Sequence, residues 1–239
     1  MTFFPQRNFR AELLDLDEAP FEEVKDSLRD VQRVNQYLSG YRSLLLHVER
    51  FLRRHKGDKP FTILDAATGS ADQPVAVVKL ARRLGVPVRV TGIDINRKML
   101  RFAREETRAY PEIDFVQCNI HSLPFRKGSF DLVINCLSLH HFEREDAVEL
   151  MRAFSYLGRK GFIVNDLHRS RVAHAFIFVL TRLLTKNRLT RYDAPVSVMN
   201  AFTPDEMRAM ADEAGLQDAI VHRHFPYRLA LVETKPERL

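Results

Sequence analysis

Cysteine is scarce in this chain: its 239 residues hold only two, Cys118 and Cys136, and no CxxC pair. That scarcity argues against a disulfide framework and a structural zinc site, so no metal is expected and reduced cytoplasm is the natural compartment. Long apolar runs are missing too. The most apolar stretch, Ala173 to Leu184, is too short to span a bilayer and is interrupted by Arg182. It is expected to be a buried helix or a lid helix over an apolar ligand. The opening Met-Thr-Phe-Phe-Pro-Gln-Arg lacks a sustained apolar core and does not read as a signal peptide. No internal repeat or low-complexity tract occurs. Strong charge of one sign is also absent. The 37 Lys and Arg against 31 Asp and Glu leave a formal +6, which suits a mixed, Arg-biased surface, with RNA or a membrane surface as the sharper alternative.

What is present is enough apolar material, 45% of residues, for a sizeable core in one large domain or one domain with a small appendage. Residues 8 to 57 look helical, with Leu38, Leu44, Leu45, Leu46, Val48, Phe51 and Leu52 on an apolar face. Gly57 to Pro60 closes this region with turn chemistry. From Phe61 onward strand and helix alternate. Strands are expected at 61–64, 88–93, 113–118, 130–137 and 161–167, and helices at 74–84, 97–108 and 145–157. Most of the strands are nearly continuous in hydrophobicity, as strands buried on both faces should be. The alternation implies an α/β fold with a doubly wound, mostly parallel, Rossmann-like sheet. Residues 169–202 break the rhythm and look like an inserted helix plus loop. Thr203 is a candidate N-cap with Pro204 at the first helical position. Two closing strands around Pro226 imply an antiparallel element. The expected division is an N-terminal helical cap over 1–57 and a main domain over 58–239 that carries the insertion.

Ligands of open α/β sheets bind at the carboxyl ends of the strands. After the first strand come Asp65 and a run of small residues, Ala66-Ala67-Thr68-Gly69-Ser70-Ala71, leading into a helix. Such a loop lets a cofactor approach the backbone. Asp94 ends the second strand, and its carboxylate suits a ribose diol; the plainer alternative is an N-cap for the next helix. Asn119 offers a donor and an acceptor to an adenine edge, although an Asn there is also a common turn residue. The fourth strand runs into Asn135 and then Leu139-His140-His141-Phe142, and the fifth into Asp166-Leu167-His168.

Together these segments resemble the class I S-adenosylmethionine-dependent methyltransferases. Ile63 to Asp72 looks like their D-x-G-x-G-x-G motif, Thr91 to Asp94 like their second motif, and Asn119 to Phe125 like their D-A-x-x-L-P-F segment. Ser129 to Ile134 and Leu139 to Phe142 resemble the F-D-x-V and x-H-H-x run of the fourth strand. The likeness spans residues 61 to about 167. It implies S-adenosyl-L-methionine as cofactor, a seven-stranded sheet and an antiparallel final strand. Carried over residue by residue, it places Gly69 and the loop around Ala67 against the methionine part, with Asp65 and Thr68 beside them. Asp94 would hold the ribose, with Ile95 next to it. Asn119 would meet the adenine amino group, Ile120 would flank the ring, and Asn135 would lie near the amino-acid end. Ala67 and Ala71 stand where glycines are usual, so negative φ is expected at both.

The sulfonium carries the activation, and the protein's task is alignment plus, for a hydroxyl acceptor, a base. His168, His140 and His141 are the candidates, with Asp166 as partner. No Asn-Pro-Pro-Tyr-type tetrapeptide follows the fourth strand, and nucleic acid is not expected as a partner. Phe176, Phe178, Tyr192, Met199 and Phe202, with Tyr37 and Tyr41, are candidate lid residues. They point to a small, apolar or aromatic acceptor. O-methylation of a hydroxyl leads; C-methylation of quinone type and an RNA-binding or non-catalytic module remain as alternatives. The oligomeric state is open, a homodimer included.

Overall fold

In the computed structural model, residue 7, residues 9–16 and residues 18–236 are described. The expected absence of a leader over the first six positions lies outside these residues. The chain forms α1 (Phe21–Tyr37), α2 (Gly40–Arg54), β1 (Phe61–Ala66), α3 (Asp72–Leu84), β2 (Val88–Asp94), α4 (Arg97–Glu106), β3 (Ile113–Gln117) and β4 (Phe130–Cys136). After a 3-10 turn (Leu139–His141) follow α5 (Arg144–Leu157), β5 (Gly158–Leu167), α6 (Arg171–Leu184), α7 (Arg188–Asn200), α8 (Pro204–Glu213), β6 (Ile220–His224) and β7 (Arg228–Thr234).

The seven strands run in the order β3-β2-β1-β4-β5-β7-β6. β1 to β5 pair in parallel, and β7 pairs antiparallel with both β5 and β6. The antiparallel strand therefore lies one place in from the edge. The order reverses between β1 and β4, which opens a crevice at their carboxyl ends. Alternate residues of β1 face opposite sides of the sheet. Ile63 packs with α2 and α3, while Leu64 and Ala66 pack with α5 and α8. Helix α8 opens with the full capping box: Thr203 Oγ1 accepts from Glu206 N, and the Glu206 carboxylate accepts from Thr203 N.

Two expectations change. Residues 9–16 are not helical. They run along α7, where Asp193 accepts from Leu13 N and Leu14 N, and Asn200 accepts from Arg10 N. Side chains on α7, distant in sequence, supply the partners that a helix would have supplied locally. The 169–202 segment also holds two helices rather than a helix and a loop. Asn187 caps the second, its side chain accepting from Leu189 N and Thr190 N, and the helix continues through Pro195. Helices α1, α6 and α7 pack together above the carboxyl ends of the strands.

The small-residue loop departs furthest from expectation. Ala67 and Ala71 both have positive φ, 60° and 58°, as does Gly69 at 52°. The left-handed conformation costs an L-residue roughly 1–2 kcal/mol. Local hydrogen bonds hold the loop there: Thr68 N donates to Ile93 O at 2.8 Å, Gly69 N to Asp94 Oδ2 at 2.8 Å, and Ala71 N to Thr68 O at 2.9 Å. Ala67 is only half-buried, so removing its methyl gives up little packing. Ala67→Gly is expected to raise stability by up to about 1 kcal/mol, or about 2–4 °C in melting temperature. A melting point lowered by that amount would show that the turn at 67 does not need left-handed backbone.

Candidate functional site

A cavity of about 680 Å³ opens at the switch point between β1 and β4 and is roofed by α1, α6 and α7. Eleven of the site residues expected from sequence line it: Asp65, Ala67, Thr68, Gly69, Asp94, Ile95, Asn119, Ile120, His140, His141 and His168. Asn135 and Asp166 do not. Asn135 is buried behind the wall, donating through Nδ2 to Ala66 O at 2.8 Å and Ser138 Oγ at 3.0 Å, so it braces the ends of β1 and β4. Asp166 stands behind His140 rather than beside His168.

At the β1 end, Thr68 Oγ1 donates to Asp65 Oδ2 at 2.6 Å. Asp65 Oδ1 is buried and has no partner. Burial lifts the Asp65 carboxyl to about 8; the nearby Asp72 and Asp94 charges push the same way, against the Thr68 hydrogen bond. Both amide atoms of Gln73, in the first turn of α3, are likewise buried without a partner, as is Arg228 Nη1 from β7. Burial lowers the Arg228 guanidinium to about 10. All three residues line the cavity, so one end of it holds unanswered hydrogen-bonding groups of both polarities. Gln73 and Arg228 escaped sequence reasoning because neither belongs to a motif; only the fold brings them to Asp65.

At the β2 end, Asp94 Oδ2 accepts from Gly69 N and Oδ1 from Asn96 N, both at 2.8 Å. The N-cap of α4 is Asn96, whose side chain accepts from Lys98 N and Met99 N. The capping alternative for Asp94 is thereby removed, and its side chain lines the cavity. Asn119 Oδ1 accepts from His121 N at 3.0 Å, as a turn residue does, while its side chain lines the cavity.

Residues 63–161 match the family described as Methyltransferase domain. Residues 63–161 thus form a methyltransferase domain. It is 28% identical over 171 residues to a demethylmenaquinone methyltransferase of Thermotoga maritima, covering 66% of this chain and 71% of that protein. To the demethylmenaquinone methyltransferase of Porphyromonas gingivalis it is 25% identical over 137 residues, 52% of this chain. The aligned part spans about half, 55%, of that relative's length. Human N-acetylserotonin methyltransferase, solved with S-adenosylmethionine, shares the fold with a TM-score of 0.63 at 18% identity, covering 90% of this chain and 56% of that one.

On the far side of its cavity the chain carries a dense cluster of charge. His140 Nδ1 lies 2.6 Å from Asp166 Oδ1, and Asp166 Oδ2 accepts from His140 N at 3.0 Å. His141 Nδ1 lies 2.7 Å from Asp15 Oδ2. Both Nε2 atoms face the buried carboxylate of Glu12, at 3.5 and 3.9 Å. Burial alone would lower His140, but the Asp166 and Glu12 carboxylates carry it up to about 10. His141 is raised as well, by Glu12 and Asp15 against burial and the His140 charge. The carboxylates of Glu12, Asp15 and Asp166 outnumber the two rings they surround. His140 is therefore protonated at neutral pH, which tells against its expected part as a base, and the shift at His141 has the same direction. Glu12, His140 and His141 also form the one group among the described residues whose donor atoms converge closely enough, within 4.8 Å, to take a metal ion. Glu12 and Asp15 were not legible in the sequence, where they lie more than a hundred residues from the histidines.

His168 differs. Burial, with the charges of Arg223 and Arg169, lowers its pKa, so it is neutral at physiological pH and lines the cavity. Of the aromatic and Met lid candidates only Phe176 reaches the cavity, and Phe202 lies in the core beneath α5 and α8. The apolar lining comes instead from Leu28, Val31, Val34, Ile177 and Val198 of α1, α6 and α7.

The Asp65 carboxyl yields a pH test. From the ordinary aspartate range up to about 8, the folded chain retains a proton that the unfolded chain has released. Stability without cofactor therefore falls as pH rises through this window. Asp65→Asn keeps an acceptor for Thr68 and should flatten that decline in melts taken from about pH 5 to about pH 8. A variant with the parent's slope would refute the assignment.

Proposed function

We propose that this methyltransferase transfers the methyl of S-adenosylmethionine to an apolar, ring-bearing acceptor with an ionisable hydroxyl, and that the methyl goes to carbon as in quinone-type enzymes. The observation that carries the reading is a single cavity with a polar end of unpartnered groups and an apolar end beneath α1, α6 and α7. The quinone-type relatives support carbon as the acceptor atom.

The polar end suits the cofactor. Asp65 Oδ1 would accept from the ammonium of the methionine part, while Gln73 Nε2 and Arg228 Nη1 would answer its carboxylate; these three atoms are buried without a partner. Asp94 would take the ribose hydroxyls. Asn119 would offer Nδ2–H to the adenine ring nitrogen, since its Oδ1 already accepts from His121 N. Ala67, Thr68, Gly69, Ile95 and Ile120 would line the groove. The cofactor supplies an electrophilic methyl group on its sulfonium. The chain's own part is to hold the acceptor ring in line with that methyl, exclude water and take one proton.

His168, being neutral, would accept the proton of the acceptor hydroxyl. The electron pair left on oxygen enriches the neighbouring ring carbon, which would take the methyl as its bond to sulfur breaks; that carbon's proton would then pass to water, and His168 would return the first proton to the oxygen, restoring the ring and its hydroxyl. Imidazolium His140, held by Asp166, would steady the negative oxygen. The first N-terminal helix and residues 169–202 would act together as the substrate cover. O-methylation is the second reading, favoured by the same oxygen anion attacking directly.

Asp94→Ala is expected to abolish the melting-point rise that S-adenosylmethionine or S-adenosylhomocysteine gives the parent protein. An unchanged rise would refute the ribose assignment. His168→Ala should lower kcat by about 10²- to 10⁴-fold while leaving that rise intact. Undiminished turnover would reject it as the base. Incubation with S-adenosylmethionine and a reduced naphthoquinol or a substituted phenol, read by NMR of the product, separates the two methylations: a C–CH3 signal supports the proposal and an O–CH3 signal overturns it in favour of the second reading.

A further inference from the structure

Helix α6 is apolar on two sides. Ala173, Ile177 and Thr181 are buried, the first two packing against Val198 of α7 with Leu38, Leu167 and Tyr227. Val172, Phe176, Val179 and Leu183 are spaced four, three and four residues apart, which puts them on one helical stripe about 16 Å long. All four are exposed, between 49% and 77%, and Leu184 beyond them is also exposed. A helix apolar all round is ordinarily buried, so this outward stripe calls for a cover.

The charges around the stripe specify that cover. Between Asp166 and Asp193 the sequence has no acidic residue but carries Arg169, Arg171, Arg182, Lys186, Arg188 and Arg191. Arg169 is tied to Glu206 and Arg188 to Glu23. Arg171, Arg182 and Lys186 are exposed, at the two ends of the stripe, and make no salt bridge among the described residues. Arg182 lies over the Phe178 ring at 3.2 Å. Two exposed aromatics lie close by in sequence to residues packed on α6: Tyr37 precedes Leu38, and Phe225, 90% exposed, stands two residues before Tyr227. Leu38 and Tyr227 both pack beneath α6. Apolar side chains flanked by unanswered cations are the chemistry of a helix that lies in the headgroup layer of an anionic membrane. No helix among the described residues is long and apolar enough to cross a membrane, so attachment would be peripheral.

We propose that α6 docks this methyltransferase on an anionic lipid surface. Phe176 belongs both to the stripe and to the cavity lining, with Ile177 beside it, so a docked α6 would join the bilayer to the acceptor end of the cavity. This last step rests on the reading of the acceptor as apolar; the docking itself does not.

The test is co-sedimentation of the full chain with vesicles of phosphatidylcholine alone and of phosphatidylcholine with phosphatidylglycerol. Binding is expected to the anionic vesicles, weakening as salt is raised. Val179→Glu with Leu183→Glu should lower it by at least about tenfold, because each removes a buried aliphatic side chain from the lipid contact. The double variant should keep the melting-point rise with S-adenosylmethionine, which shows that it folds. Binding that ignores lipid charge, or that survives the double variant, would overturn the proposal. So would a concentration-dependent dimer, abolished by the same substitutions and without vesicle binding, which would assign the stripe to a second copy of this chain. Docking without methyl transfer to any tested acceptor would leave the membrane surface standing and reject the functional reading alone.

Discussion

The hydrogen bond from Gly69 N to Asp94 Oδ2 joins the two strand ends on which the site depends. It fixes the loop after β1 against the end of β2, across the parallel pairing that brings Ala66 opposite Ile93. Thr68 adds a second tie, its N to Ile93 O, and a third, its hydroxyl to Asp65. Three left-handed residues in five are held in place by these contacts, and two of them are alanines. The strain is local and its compensation is nearby: a turn this tight brings Asp65, Gln73 and Asp94 to one cavity wall.

A second constraint works from the other side. Asp166 at the end of β5 grips His140 through ring and backbone at once, and the N-terminal segment closes over the pair with Glu12 and Asp15. Burial would strip the charge from an isolated imidazole, but three carboxylates around two rings retain it. The same cluster fastens residues 9–16, which have no secondary structure of their own, against the site. Arg7 extends the fastening, donating to the carbonyls of His140, Phe142 and Asn200. The cluster thus carries a structural demand on side chains that also face the cavity, while neutral His168 stands apart from it.

The roof completes the division of labour. Leu28, Val31 and Val34 on α1 and Ile177 on α6 make one end of the cavity apolar, whereas the other end keeps polar groups without partners. Because α6 is apolar on its outward side as well, the element that shapes the apolar end of the cavity also presents an apolar face outward.

Much of this was written locally. The parallel sheet followed from near-continuous apolar strands alternating with helices. Asp94 and the small-residue loop followed from their place at strand ends, and the start of α8 from Thr203, Pro204 and Glu206. Each is a short-range pattern that neighbouring residues enforce. The rest depended on groups far apart in sequence. Nothing near Ala67 or Ala71 announces positive φ; the Ile93 carbonyl and the Asp94 carboxylate impose it. The Pro195 region reads as loop until α1 and α6 enclose it as a helix. Glu12 and His140 meet across the whole sheet, and their meeting turns a candidate base into a cation. The sequence by itself determined the strand order's raw material and the cofactor edge, because strand period and turn chemistry are local. Only the tertiary structure decided protonation, the acceptor lining and which face of α6 remains uncovered, because burial and Coulomb interaction depend on what the fold brings within a few ångströms.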